Sequence, residues 1–157
     1  MKAPALFTAL QEAPIDAACL AHDFIRQWGN RGAVTTFTGS VRDVYKGKVV
    51  EGLYLDWYPG MSNASIATIG GDALERFEIY AATIVHRCGR VNAGAPIVFV
   101  GTASAHRATA FEANEYLMDR LKSEAALWKR EIGPDLDRWF EPTQADGAAL
   151  QRWRTAQ

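Results

Sequence analysis

Apolar and polar positions change period several times along the chain, and each change marks an element. Residues 5–10, ALFTAL, are short and apolar enough for a strand. Pro14 then opens IDAACLAHDFIRQW, where Ile15, Cys19, Leu20 and Phe24 are spaced for one helical face and Gly29 supplies a stop. GAVTTFTGSV is β-branched and bounded by glycine, which predicts a strand. The polar stretch RDVYKGK and the alternating VVEGLYLDWY after it predict the mobile tip and the returning strand of a hairpin.

Tyr58-Pro59-Gly60-Met61 predicts a turn, and a helix from about Ser62 to Phe77 follows, with Ser62 or Asn63 as its cap. Gly70 and Gly71 inside that helix cost about 1 kcal/mol each relative to alanine, so packing must hold the helix or kink it. EIYAATIVHRCG, the turn NAGAP and IVFVGTAS predict a second hairpin. The longest helical pattern runs from about Arg107 to Trp128, DRWFEP reads as a last short strand, and residues 143–157 form a polar tail of partly helical character. The order β-α-β-β-α-β-β-α-β mixes hairpins with helices, which predicts an α+β fold within one domain over residues 1–157.

Composition narrows the function classes. The 48% hydrophobic and 22% charged fractions are those of an ordinary globular chain. Seventeen basic against eighteen acidic residues argue against a generally basic nucleic-acid surface, while leaving room for a local cationic pocket. No run approaches the roughly 18 apolar residues of a membrane span. Gln11, Glu12 and Asp16 interrupt the Ala-rich N-terminus before a leader's apolar region could form, so a cytoplasmic protein is expected. Cys19 and Cys88, with no CxxC, read as free, buried thiols. His22, His86 and His106 are far apart and outside any HExxH, Ser104 is in no G-x-S-x-G elbow, and phosphate-loop fingerprints are absent. No metal or cofactor is therefore expected.

What remains is cationic. SAHRATAF, residues 104–111, places His106 and Arg107 where an apolar strand gives way to a helix, a position whose unpaired N–H groups suit an anion. Arg42 again sits at an element end. Met118, Lys122 and Lys129 lie within about 40° of one another if the long helix continues, bordering a stripe of Phe111, Leu117 and Leu121. Such lysines also commonly lay their stems on apolar surface and leave the ammonium in water. Taken together with Phe37 and Met118, the cations suit an anionic small molecule with a flat apolar part.

GAVTTFTGSVRD, LDWYPGMS, IVHRCGRVNAGAPIVFVGTASAHRATAFEANEYLMDRLKSEAALWKRE and DRWFEP together resemble the large, catalytic subunit family of molybdopterin synthase, in register from about residue 31 to 142. The resemblance implies an α/β hammerhead-type fold with mixed or antiparallel sheet, and a homodimer within a heterotetramer. It implies a small ubiquitin-like carrier subunit whose C-terminal Gly-Gly thiocarboxylate enters the active site. The reaction would convert cyclic pyranopterin monophosphate into molybdopterin by installing the two sulfurs of a dithiolene. Neither nucleic acid nor membrane has a part in it.

Carried over, the pocket comprises Ser40, Val41, Arg42, Lys122, Lys129, Arg130 and Glu131, lined by Phe37 and Met118, with His106 and Arg107 supplied across the dimer. Lys122 would be the principal acid/base group, Lys129 its electrostatic partner, and Arg42 and Arg107 the phosphate clamp. Two departures stand out. The family's A-P-F-W is Ala125-Ala126-Leu127-Trp128 here, and Asp56-Trp57 replaces Glu-His before Tyr-Pro-Gly-Met. A non-catalytic scaffold of the same fold, binding an anion or pterin, is the competing reading.

Overall fold

A computed structural model describes residues 4–155. Strand β1 (Ala5–Gln11) leads to helix α1 (Ala17–Trp28), where Asp16 caps the first turn by accepting from the Cys19 N–H at 2.9 Å. Phe24 and Trp28 turn inward. Cys19 lies about 140° around the helix from Phe24 and is exposed, so of the two expected buried thiols only Cys88 is buried, though both are free.

Strand β2 (Ala33–Ser40) is followed by a two-residue pair, β3 (Val44–Tyr45) and β4 (Lys48–Val49), and then by β5 (Gly52–Trp57). Helix α2 (Met61–Arg76), β6 (Ile79–Arg87), β7 (Gly89–Asn92) and β8 (Pro96–Ser104) precede helix α3 (Arg107–Glu124). The chain closes with β9 (Leu127–Gly133), β10 (Leu136–Trp139) and helix α4 (Gln144–Thr155). This is the expected α+β class, with one mixed sheet, β1-β6-β8-β2, and one antiparallel sheet, β10-β9-β5-β7. Among the described residues no helix is long and apolar enough to cross a membrane.

The expected hairpin between β2 and β5 does not form. Strand β2 pairs with β8, whose apolar run is buried on both faces, while β5 pairs with β7 and β9 in the other sheet and buries Leu55 completely. The polar tip closes on itself as β3 and β4. The predicted hairpin of β6 and β8 is present, with β7 diverted between them to the second sheet.

One core joins the sheets to α2 and α3, through Leu55, Ile66, Ile84, Val91, Val100 and Leu117. Helix α1 covers the opposite face of the mixed sheet. Gly70 explains how α2 tolerates its glycines: a Cβ there would stand 2.6 Å from Leu6 Cδ1, so the helix lies closer to β1 than alanine allows. Helix α3 is pinned where Thr102 Oγ1 donates to Ala110 O at 2.8 Å and Asn114 Nδ2 donates to Val100 O at 3.2 Å. Phe111, expected on its apolar stripe, is exposed.

Helix α3 ends four residues before the expected Trp128. Ala125 is extended (φ −63°, ψ 134°), and the chain enters β9. The cause lies in α2, which starts at Met61 with Gly60 as its cap position. Ser62, expected as a cap, is instead fully buried; its Oγ accepts from the Tyr58 N–H at 2.9 Å and donates to Ala126 O at 2.6 Å. Ser65 Oγ accepts from the Ala126 N–H at 3.0 Å. Two serines and the pairing of β9 with β5 thus override the helical preference of Ala-Ala-Leu. Ser62→Ala strips the partner from two part-buried backbone groups, and chemical denaturation is expected to show a loss of about 1–3 kcal/mol.

Candidate active site

Side chains alternate along a strand, so Leu127, Lys129 and Glu131 share one face of β9. Cross-strand register sets Lys129 opposite the buried Leu55, which identifies that face as the inner one. Lys129 therefore stands on a strand and not on the helix of Lys122. The two meet because α3 ends just before β9 begins. A cavity of about 310 Å³ opens at that junction, lined by Leu121, Lys122, Trp128, Lys129, Phe140 and Pro142.

The two lysines differ in environment. Lys122, in the last turn of α3, is half exposed, and its Nζ lies 2.6 Å from Asp146 Oδ1. Burial drives the Lys129 ammonium below the usual lysine range, repulsion from Lys122 lowers it further, and Asp146 partly opposes both. Burial would raise Asp146, but hydrogen bonds from Lys122 and from the backbone and side chain of Thr143 outweigh it and hold the carboxyl below its ordinary value. Nearby, buried His86 is pushed down to about 4, by burial first and by Lys129 second. Its Nδ1 donates to Arg87 O at 2.7 Å, which places the proton of the neutral ring on Nδ1.

Farther along the same face, Glu131 is sealed from solvent beneath two guanidiniums. Arg42 Nη2 donates to Oε1 at 2.8 Å, and Arg138 Nη2 donates to Oε2 at 2.9 Å. Burial alone would raise this carboxyl, but the paired arginines hold it below the ordinary range. Gly133 lets the β3–β4 tip approach β9, since a Cβ there would stand 2.1 Å from Val49 O. The tip brings Tyr45 under both guanidiniums.

The expected residues fall in four places. Lys122, Lys129, Arg42 and Glu131 gather along β9, and Met118 packs partly buried one helical turn before Lys122. The chain irregularity between Gly39 and Ser40 and the buried Val41, whose N–H donates to Ala95 O at 3.0 Å, aim Arg42 at Glu131. Arg130 takes the other face of β9, where its guanidinium pairs with Asp137 at 2.5 Å. Phe37 is exposed on β2, an edge strand. His106 and Arg107 border a separate open hollow of about 500 Å³ at the start of α3. Fifteen residues of helix separate Arg107 from Lys122, about 22 Å, so within one chain the structure does not bring them together.

Sequence reasoning missed Asp146, Arg138, Tyr45 and His86. Asp146 did leave a signal, because Thr143-Gln144-Ala145-Asp146 has capping-box spacing. The structure shows the reciprocal bonds, Thr143 N–H to Asp146 Oδ2 at 2.7 Å and Asp146 N–H to Thr143 Oγ1 at 3.3 Å. Helix α4 is then docked on α3 by Trp153, which stacks edge-on against Phe77 and Tyr116 and donates to Asp119 Oδ2 at 2.7 Å. Over its described residues the polar tail is thus an ordered helix that delivers a carboxylate to Lys122, and residues 156–157 lie outside the described residues.

The profile of the family described as MoaE protein matches residues 10–124. The chain is 47% identical over 122 residues to the molybdopterin synthase catalytic subunit of Escherichia coli (strain K12), covering 78% of this chain and 81% of that protein. It is 39% identical over 145 residues to the molybdopterin synthase catalytic subunit of Haemophilus ducreyi, covering 92% and 95%. Among solved structures, the molybdopterin biosynthesis MoaE protein from Burkholderia ambifaria shares the fold with a TM-score of 0.78 and 35% identity, over 96% of this chain and 99% of that one. Since the profile covers most of the chain and its relatives align along nearly their full length, the protein belongs to the MoaE family.

Proposed function

We propose that this chain is the catalytic subunit of a molybdopterin synthase. It transfers sulfur from the C-terminal thiocarboxylate of a small ubiquitin-like carrier to cyclic pyranopterin monophosphate, forming the dithiolene of molybdopterin. One observation carries the reading: Lys122 and Lys129, from different elements, face one cavity on the same strand face as an arginine-covered carboxylate. The relatives' shared description as catalytic subunits favours turnover over a non-catalytic scaffold. The setting is the cytoplasm, where the two free thiols stay reduced.

The chemistry asks little covalent work of the protein, because a thiocarboxylate is already a sulfur nucleophile. The chain supplies positioning, neutralisation of the phosphate as its ring opens, and proton transfer at the carbons that receive sulfur. Lys129 suits proton transfer better than Lys122, because its burial and its cationic neighbour disfavour the charged form. Lys122, half exposed and already holding a carboxylate, suits the terminal anion of the carrier. Arg42 binds phosphate oxygens from the same chain. His106 and Arg107 of the partner subunit complete the pocket in a two-fold dimer. Their separation from Lys122 within one chain is what calls for the second copy.

With thiocarboxylated carrier and purified protein, Lys129→Ala is expected to lower kcat by about a hundredfold or more; near wild-type turnover would refute its assignment. A lysine with a lowered pKa sheds its proton at lower pH, so a rate that needs neutral Lys129 rises through a pH below the free value of 10.5. Asp146 opposes the lowering, so Asp146→Asn should move that rise to still lower pH in the rate profile. Mixing inactive Arg107→Ala and Lys129→Ala chains should restore about a quarter of wild-type activity, because half the dimers are mixed and each of those keeps one intact site. No recovery on mixing would rule out the shared pocket.

A further inference from the structure

Arg138 lies on β10 directly across from Glu131 in the antiparallel register, and it takes one carboxylate oxygen while Arg42 takes the other. Both use the same edge. Arg42 Nε and Nη2 reach Oε1 at 3.2 and 2.8 Å, and Arg138 Nε and Nη2 reach Oε2 at 3.3 and 2.9 Å. A guanidinium carries five N–H donors, so each arginine spends two on Glu131 and keeps its outer edge for another acceptor. We infer that Arg138 is a second phosphate-binding guanidinium of this site, held beside Arg42 by Glu131 and Tyr45 as positioning residues. This assignment rests on the proposed function for the identity of the phosphorylated substrate, though the clamp itself is defined by the geometry.

Charge and exposure support a clamp over a purely structural ion pair. Glu131 needs one cation to be neutralised and has two, so the triad carries a surplus positive charge. The side chain of Glu131 is 3% exposed, yet those of Arg42 and Arg138 are 51% and 37% exposed, so the anion is sealed below and the cations open outward. Both guanidinium carbons lie over the Tyr45 ring, at 4.6 and 4.1 Å from its centre, which fixes their planes before any ligand arrives. Two planar forks held in this way match the oxygens of a phosphate ester better than point charges would. Glu131 is two residues from Lys129 on the same face of β9, about 7 Å along the strand. A phosphate gripped by the arginines would therefore leave the attached carbon skeleton within reach of Lys129.

The test uses the full-length protein with its carrier, and inorganic phosphate as the probe. Inorganic phosphate is expected to inhibit sulfur transfer competitively. Arg138→Gln should raise both the KM for the phosphorylated substrate and the phosphate inhibition constant by about tenfold or more, with a smaller change in kcat. Arg138→Lys keeps a positive charge to pair with Glu131 but loses the fork. It should retain the wild-type Tm while its phosphate affinity falls, which a structural role alone would not produce. Unchanged KM and phosphate inhibition in both variants, with only Tm lowered, would overturn the assignment. Phosphate binding by calorimetry separates the two claims. Binding that weakens in Arg138→Lys while the wild-type protein transfers no sulfur would leave the clamp standing and refute the proposed function. Wild-type protein that turns over but neither binds nor is inhibited by phosphate would refute the clamp alone.

Discussion

Charge on the inner face of β9 is the constraint around which this molecule is arranged. A period of two along the strand sends Lys129 and Glu131 to the side that packs against the core, where an ionised group without a partner is costly. Each is compensated differently. Glu131 receives two guanidiniums and stays ionised, so its burial becomes a way of holding Arg42 and Arg138 at fixed positions. Lys129 receives less help: Asp146 offsets only part of what burial and Lys122 do to it. One residue is thereby stabilised in its charged form and the other is biased toward giving up its proton.

That arrangement depends on α3 ending where it does. Were the helix to continue, Lys129 would lie on the helix surface, and β9 would have no residues to place opposite Leu55. Ser62 and Ser65, in the first turns of α2, capture both backbone groups of Ala126 and turn the chain into the strand. The family's proline at this position would stop the helix by itself. Here the tertiary hydrogen bonds do so with alanine, and the Ala126 N–H that proline would lack is in use.

The pocket along β9 is well furnished with groups for an anion, yet His106 and Arg107 stand at the far end of α3 beside a separate hollow. Phe111, also exposed, follows Arg107 by one turn of α3. In the proposed two-fold assembly, the start of α3 from one copy serves the end of α3 in the other. Helix α4 adds a further layer, because docking by Trp153 on α3 carries Asp146 to Lys122 from a segment that reads as a tail.

Local pattern was enough for much of this protein. Glycine-bounded β-branched runs marked β2, β6 and β8; the Pro-Gly turn marked the start of α2; and the spacing of Met118 and Lys122 placed both on one helical face. The α+β class and the motifs carrying the family resemblance could be read without coordinates, because each lies within a short window of residues. Long-range partners decided the rest. Strand β5 chose β7 and β9 over its neighbour β2 because burial of Leu55 outweighs proximity in sequence. The end of α3 was set by serines about sixty residues away, against local helix propensity. Asp146 and Arg138 joined the site through contacts that span 24 and 7 residues and cross between elements, so no periodicity within one element could reveal them.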